Sequence, residues 1–131
     1  MSEKRKLMVI GLDCAPPELV FEKWRKDLPT LDRLMSEGVY GNFRSSDPPI
    51  TVPAWMTMLT SKNPGKLGFY GFRNRKDYSY TSATTANARA VKEPTVWDII
   101  GKKNMKSILI GVPQTYPPKP INGHMITCFL T

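Results

Sequence analysis

Three short apolar runs constrain the fold of this chain most strongly, because polar and apolar residues do not alternate within them. The runs cover residues 7–10, 108–112 and 125–130. Unbroken apolar runs of this length are typical of strands buried on both faces, as in parallel sheets that helices cover. Helix-like segments separate the first two runs. The sequence therefore predicts an α/β fold with a mostly parallel sheet and right-handed connections.

The segments between these runs carry the sequence signals of helices and turns. Apolar residues at helical spacing, with proline near the start, predict helices over 17–26 and 29–37, from residue 53 onward and over 94–101. Residues 39–44 alternate, which predicts a strand. Residues 70–93 have no clear period, so we expect a long excursion there, with a short hairpin around Tyr78 and Tyr80.

Thr51 lies where a stiff, proline-rich approach becomes a helix. Pro48 and Pro49 restrict the backbone before it, and Pro53 presets φ for the first helical turn. The first N–H groups of such a helix lack partners within it and lie at the positive end of its dipole, where they attract an anion. Thr51 is therefore a candidate nucleophile beside a bound phosphate. The alternative is a hydroxyl that only caps the helix.

Asp13 follows the first apolar run, at the end of a predicted strand. Open α/β sheets bind their ligands at the carboxyl ends of their strands. A carboxylate at that place is a suitable hard ligand for a divalent cation. The alternative is a turn or a helix cap before Pro16 and Pro17. Neither Asp13 nor Thr51 establishes chemistry by itself.

Several longer motifs occur in a fixed order along the chain. They are Val-Ile-Gly-Leu-Asp at 9–13, Leu-Pro-Thr-Leu-Asp-Arg-Leu-Met-Ser-Glu-Gly at 28–38, Pro-Pro-Ile-Thr-Val-Pro-Ala-Trp at 48–55, Asn-Pro-Gly-Lys-Leu-Gly at 63–68, Pro-Thr-Val-Trp-Asp at 94–98, Gly-Val-Pro-Gln-Thr-Tyr-Pro-Pro at 111–118 and Ile-Asn-Gly at 121–123. Their order and spacing resemble the alkaline phosphatase superfamily and, within it, the type I phosphodiesterase/nucleotide pyrophosphatase proteins. The resemblance implies the N-terminal part of a three-layer α/β/α domain.

The same resemblance implies a site for hydrolysing small phosphate esters, with two divalent metal ions (zinc, or alternatively manganese or magnesium) beside a hydroxyl nucleophile. It makes Thr51 both nucleophile and metal ligand and makes Asp13 a ligand of the same metal. Coordination to a cation lowers the pKa of a hydroxyl, and paired metals can stabilise both the entering and the departing oxygen. A phosphate-contacting Asn of nucleotide pyrophosphatases falls on Phe72, so Asn74 and Arg73 are the nearby candidates for that contact. The predicted function is a metal-dependent phosphodiesterase or phosphomonoesterase.

The chain departs from that pattern in its metal ligands. Two metal sites need further Asp and His residues, whereas His124 is the only histidine. It precedes the last apolar run, so we interpret it as a structural residue at the start of a strand. We therefore expect residues 1–131 to be a single incomplete domain, a fragment or truncated product that is inactive alone. It would pair with a missing C-terminal portion or self-associate.

The distribution of charged side chains along the chain indicates an alternative function. Residues 61–131 contain 11 basic and 3 acidic side chains, so the formal net charge of +8 lies entirely in this half. Five of the basic residues cluster within fifteen positions, interspersed with aromatic ones: Lys62, Lys66, Arg73, Arg75 and Lys76. Such a stretch is a solvated loop, a funnel for phosphate esters beside Thr51, or a site for single-stranded nucleic acid. The alternative function is a non-catalytic basic module that binds nucleic acid or another anionic partner.

The remaining signals concern the compartment. The apolar run at 7–10 is too short for the core of a signal peptide, and no stretch approaches the length of a membrane span. Cys14 and Cys128 form neither a zinc-binding spacing nor a disulfide framework. We therefore expect a cytoplasmic protein without a membrane partner.

Overall fold

The computed structural model describes residues 6–130, which fall into two compact units, Met1–Arg44 and Ser45–Thr131. The predicted domain over 1–131 extends past the described residues at both ends. The helical elements are a π-helical turn Glu18–Lys23, a 3-10 turn Arg25–Asp27, α1 Pro29–Glu37, α2 Thr51–Thr60, α3 Pro64–Leu67 and α4 Val96–Gly101. The strands are β1 Arg73–Arg75, β2 Ala83–Thr85, β3 Ser107–Ile110 and β4 Gly123–Ile126. Within residues 6–130, every helix is too short or too polar to cross a bilayer.

The first unit is helical, and its described residues contain no strand. The apolar run at 7–10 is irregular and exposed (Leu7 is 88% exposed), and the predicted strand over 39–44 is irregular as well. Both predictions of a strand are wrong for this structure. A strand is stable only when it pairs with a neighbour and buries a face, and the described part of this unit offers no paired strand.

α1 forms over the residues that its pattern predicts, and Gly38 ends it. The N–H of Gly38 donates to the carbonyl of Leu34 at 2.9 Å. A Cβ at position 38 would lie 2.9 Å from that same carbonyl oxygen, so a residue with a side chain does not fit there without a shift of the backbone. The segment predicted as a helix over 17–26 is helical too, but as the π-helical and 3-10 turns.

The second unit holds a continuous apolar core around α2. Its buried members are Val52, Met56, Leu67, Phe69, Ala86, Val91 and Trp97. They come from α2, α3, α4 and the irregular segments beside the hairpin of β1 and β2. Because Val52 and Met56 are fully buried, the face of α2 that carries these two residues fixes the helix in this core.

The strands of the second unit form two separate pairs. β1 and β2 are antiparallel and make the predicted hairpin, whereas β3 and β4 are parallel. The parallel pair agrees with the predicted class of sheet, but the described residues do not form a mostly parallel, three-layer domain. Only one face of the pair packs on the core, through Leu109. The other face exposes Ile108, Ile110 and Ile126, so burial on both faces is not observed.

Gly123 allows β4 to begin close against β3, which gives a first testable expectation. Its φ is +146°, and a Cβ there would lie 1.8 Å from the carbonyl oxygen of Ser107, its register partner. We expect Gly123→Ala to lower the free energy of unfolding by about 2 kcal/mol or more. Gly71→Ala, whose Cβ would meet only Ile50 at 3.9 Å, should change it by less than about 0.5 kcal/mol. Urea unfolding followed by tryptophan fluorescence measures both values, and equal effects would contradict the expectation.

Candidate functional site

Thr51 is the first residue of α2, and its hydroxyl does not cap the helix. The N-cap position belongs to Ile50, which has extended backbone angles (φ −109°, ψ 145°) and no side chain that could cap. The hydroxyl of Thr51 forms no hydrogen bond with any residue in the range 6–130. Thr51 is partly exposed. Its hydroxyl is thus available to a ligand, which the capping alternative did not anticipate.

The backbone at the start of α2 presents donors beside that hydroxyl. The first helical hydrogen bond runs from the N–H of Ala54 to the carbonyl of Ile50 at 3.0 Å. The N–H groups of Thr51 and Val52 therefore have no helical acceptor, and Pro53 has no N–H. These two donors lie at the positive end of the dipole of a ten-residue helix. Because Val52 and Pro53 are fully buried, this end of α2 is held in place, and of the two donors only the N–H of the partly exposed Thr51 can face a ligand.

The segments beside the start of α2 bring the hairpin of β1 and β2 next to it. The side chain of Ile50 lies close to Gly71, just before the hairpin. A Cβ added at Gly71 would be 3.9 Å from the Cδ1 atom of Ile50. On the approach to α2, the hydroxyl of Ser46 donates to the carbonyl of Pro48 at 2.8 Å. The start of α2 thus follows a proline-rich approach and, through Ile50, lies close to the root of the hairpin.

The two proposed phosphate contacts, Arg73 and Asn74, lie on β1 near this root. Arg73 is exposed and forms no ion pair with the described residues. The Oδ1 atom of Asn74 accepts from the N–H of Tyr70 at 2.7 Å, and its Nδ2 donates to the carbonyl of Gly71 at 2.8 Å. Asn74 therefore shapes the turn that leads into β1. Asn side chains often bond nearby backbone groups in this way, and the sequence interpretation did not use this tendency.

Asp13 lies in a tight turn of the first unit. Its Oδ1 accepts from the N–H of Cys14 at 3.0 Å, and Cys14 has a left-handed φ of 56°. The carboxylate is exposed, and its second oxygen makes no hydrogen bond with the described residues. The local geometry agrees with the turn alternative and leaves one oxygen for a cation. Asp13 and Thr51 belong to different units, so their convergence on one cation stays a prediction.

The described residues do not form a metal site by themselves. Among residues 6–130, no three His, Cys, Asp or Glu side chains come close enough to hold an ion together. His124 is the second residue of β4, where it lies opposite Ile108. The donors in this range can therefore supply at most part of the two-metal site that the resemblance implies.

Gln114 is a buried polar residue that the sequence interpretation did not single out. It is only 3% exposed, has a left-handed φ of 64°, and its amide oxygen and nitrogen have no partner among the described residues. It borders a cavity of about 30 Å³ that Glu93, Asp98 and Lys119 also line. The available signal in the sequence was a glutamine between Pro113 and Thr115, in a mostly apolar stretch of the chain. An unpaired amide at such depth costs about 1–3 kcal/mol.

Cys128 is buried beside the loop that carries Gln114. Burial raises the pKa of the Cys128 thiol, but backbone N–H groups of Leu130 and of residues 114–116 lower it more, so the net pKa is below its usual value. The N–H of Cys128 also donates to the hydroxyl of Thr115 at 3.0 Å. These contacts tie the chain after β4 to the loop between β3 and β4, as expected for a structural cysteine.

Comparison with known proteins gives one match. The family model for type I phosphodiesterase / nucleotide pyrophosphatase matches residues 7–128 of the chain. The matched range contains Asp13, Thr51 and both candidate phosphate contacts. Searches of curated proteins and of solved structures found no match.

Proposed function

Because the chain belongs to the type I phosphodiesterase / nucleotide pyrophosphatase family, we propose that it is a phosphoric-ester hydrolase that uses Thr51 as its nucleophile. Family membership confirms the resemblance seen in the motifs and favours an alkaline-phosphatase-like α/β fold. It also supports the hydrolysis of phosphoesters in general. Diesters and monoesters of small alcohols are the proposed substrates.

The observation that carries this proposal is the free hydroxyl of the partly exposed Thr51 at the start of α2, where the backbone N–H of the same residue has no helical acceptor. The Thr51 oxygen would attack phosphorus while its proton passes to a base. The bond from phosphorus to the departing alkoxide oxygen would break in line with the attack, and the alkoxide would take up the proton that Thr51 releases and leave as the alcohol. The N–H group of Thr51, at the positive end of the helix dipole, would stabilise negative charge on a non-bridging oxygen. Water would then hydrolyse the phosphothreonine ester and restore the hydroxyl.

The buried face of α2 supports this assignment. A nucleophile must be held within a narrow range of positions relative to the phosphate. Val52 and Pro53, the two residues after Thr51, are fully buried. Thr51 thus combines an available oxygen with a backbone that cannot shift freely, whereas an ordinary surface threonine has only the first property.

Asp13 is proposed as a ligand of a divalent cation that Thr51 shares. A bound cation of this kind lowers the pKa of a hydroxyl. Since residues 6–130 contain no group of three ligands, the proposal requires ligands from elsewhere, and residues 1–131 alone should be inactive. Arg73, which is exposed and unpaired among the described residues, is proposed to contact the phosphate, and Asn74 is proposed in the same role through its remaining lone pair and N–H.

Two preparations test this function. The gene product is purified from the cells that make it, through an N-terminal tag, so that any further segment or subunit is retained. It should hydrolyse bis(p-nitrophenyl) phosphate or p-nitrophenyl phosphate, and a chelator should abolish the reaction. The 131-residue chain produced by itself should not exceed the uncatalysed rate. Failure of the first preparation to hydrolyse either ester would contradict the proposed function, and activity of the second would contradict the proposed need for further ligands.

A further inference from the structure

The end of the hairpin between β1 and β2 carries a group of side chains that the proposed hydrolysis does not use. This group, here called the hairpin tip, consists of Arg75, Lys76, Tyr78 and Tyr80. We propose that the hairpin tip binds single-stranded nucleic acid. The proposal does not depend on the role of Thr51.

The hairpin tip exposes two aromatic rings beside two cationic groups. Tyr78 is 101% exposed and Tyr80 is 91% exposed, and both cationic residues are exposed as well. The guanidinium of Arg75 lies over the ring of Tyr80, 4.6 Å from its centroid. This stacking orients one face of the Tyr80 ring and leaves the other face open. Aromatic rings next to cations are the usual platform for unpaired bases, since every base can stack and the cations neutralise phosphates.

Local hydrogen bonds give the hairpin tip a defined shape. The N–H of Lys76 donates to the carbonyl of Ser82 at 3.0 Å, which extends the ladder beyond the last β1–β2 pair, Arg75 with Ala83. At the turn, Oδ1 of Asp77 accepts from the N–H of Ser79 at 2.8 Å. Hydrogen bonds from Ser79 lower the pKa of the Asp77 carboxyl. The single carboxylate of the turn is thus engaged in the turn itself, while the ring of Tyr78 and one face of the Tyr80 ring remain exposed.

The composition of the hairpin favours nucleic acid over an anionic membrane as the partner. Binding of a protein segment to a lipid surface grows with the apolar area that it can bury among the acyl chains. Residues 73–85 contain no Leu, Ile, Val, Met, Phe or Trp. The rings of the tip belong only to tyrosines, whose flat faces suit stacking and whose hydroxyls remain hydrated. The excess of positive charge in residues 61–131 would also steer a polyanion toward this part of the chain.

The test measures binding of the 131-residue chain to a fluorescein-labelled oligo(dT) of about 20 nucleotides by fluorescence anisotropy, with a chelator present to prevent hydrolysis. We expect saturable binding that weakens as salt rises from 50 to 200 mM. Tyr78→Leu with Tyr80→Leu should weaken binding about tenfold or more, from the usual value of base stacking. Arg75→Gln with Lys76→Gln should lower the slope of log affinity against log salt by about 1.4, because each phosphate contact on a single strand contributes about 0.7.

Matched variants distinguish the contributions of ring stacking and of the charge at the hairpin tip from a general effect of altered side chains or net charge on binding. Tyr78→Phe with Tyr80→Phe keeps both rings and should bind within about twofold of the unaltered chain. Lys102→Gln with Lys103→Gln removes the same charge from exposed residues after α4 and should leave the salt slope unchanged. Thr51→Ala should bind as the unaltered chain does, whatever its effect on hydrolysis.

Three results would overturn the proposal. They are absence of binding at 50 mM salt, an equal loss in the Lys102 and Lys103 variant, and full binding after both tyrosines are changed to leucine. Sedimentation with phosphatidylserine-containing vesicles adds a fourth: binding to vesicles that is lost with the tyrosines, without binding to oligo(dT), would assign the hairpin tip to a membrane instead.

Discussion

Thr51→Ala should abolish phosphoester hydrolysis and leave the stability of the protein unchanged. Removal of a nucleophile lowers kcat by on the order of 10³-fold or more. The hydroxyl of Thr51 forms no hydrogen bond with the described residues, so its loss should change the free energy of unfolding by less than about 0.5 kcal/mol. If Thr51 capped the helix, the same change would instead lower the free energy of unfolding by about 1 kcal/mol. The two measurements together therefore distinguish a nucleophile from a cap.

Thr60→Ala provides a matched control on the same helix. The hydroxyl of Thr60 is buried, donates to the carbonyl of Met56 at 2.6 Å and accepts from the N–H of Lys62 at 3.2 Å. Its removal should cost about 1–2 kcal/mol of stability and leave kcat/KM within about tenfold. Thr51→Ser, which keeps a hydroxyl, should retain most of the activity. Full activity in Thr51→Ala, or equal loss of activity in both alanine variants, would refute the assignment of the nucleophile.

The elements that could be predicted from the sequence are those whose signals are local. α1 has a proline at its start, apolar residues on one face and a glycine at its end, and it forms over the predicted residues. α4 begins after Thr95, whose side chain and that of Asp98 form a capping box, and it ends at the predicted Gly101. The hairpin around Tyr78 and Tyr80 also forms, because an Asp-initiated turn and a three-residue ladder are local as well.

The predictions that failed concern strands, whose formation depends on distant partners. The run at 7–10 has the composition of a buried strand, yet a strand needs hydrogen bonds from a neighbour that the run itself does not encode. β3 and β4 have such a neighbour in each other, and they pair. Composition alone could not indicate that only one face of this pair would pack on the core.

The candidate site could be predicted only in part, because only some of its signals are local. A proline-rich approach followed by a helix is a local signal, and it placed Thr51 at the start of α2. The sequence did not indicate that Ile50 rather than Thr51 would occupy the N-cap position. It also did not indicate that the side-chain amide of Asn74 would form hydrogen bonds within a turn. The buried amide of Gln114 depends on packing between segments far apart in the chain, which no local pattern reveals.

Met56→Ala should destabilise the protein strongly, whereas Met58→Ala on the same helix should not. Met56 is fully buried among Val52, Phe69 and Trp97 in the core, while Met58 is 53% exposed. Truncation of a buried methionine to alanine costs about 2–5 kcal/mol, from lost burial and the cavity that remains. Truncation of an exposed methionine costs less than about 0.5 kcal/mol. Urea unfolding gives both values, because the fluorescence of the buried Trp97 reports on the core that Met56 joins.

This pair of variants also tests whether the core of the second unit positions the nucleophile. Met56 lies five residues after Thr51 and, together with Val52, fixes the start of α2 in that core. If this packing holds Thr51 in place, Met56→Ala should lower kcat of the hydrolytic preparation even at a temperature where the protein remains folded, because a small displacement of the nucleophile slows attack. Met58→Ala should leave kcat unchanged. A folded Met56→Ala variant with undiminished kcat would show that the position of Thr51 does not depend on the packing of α2.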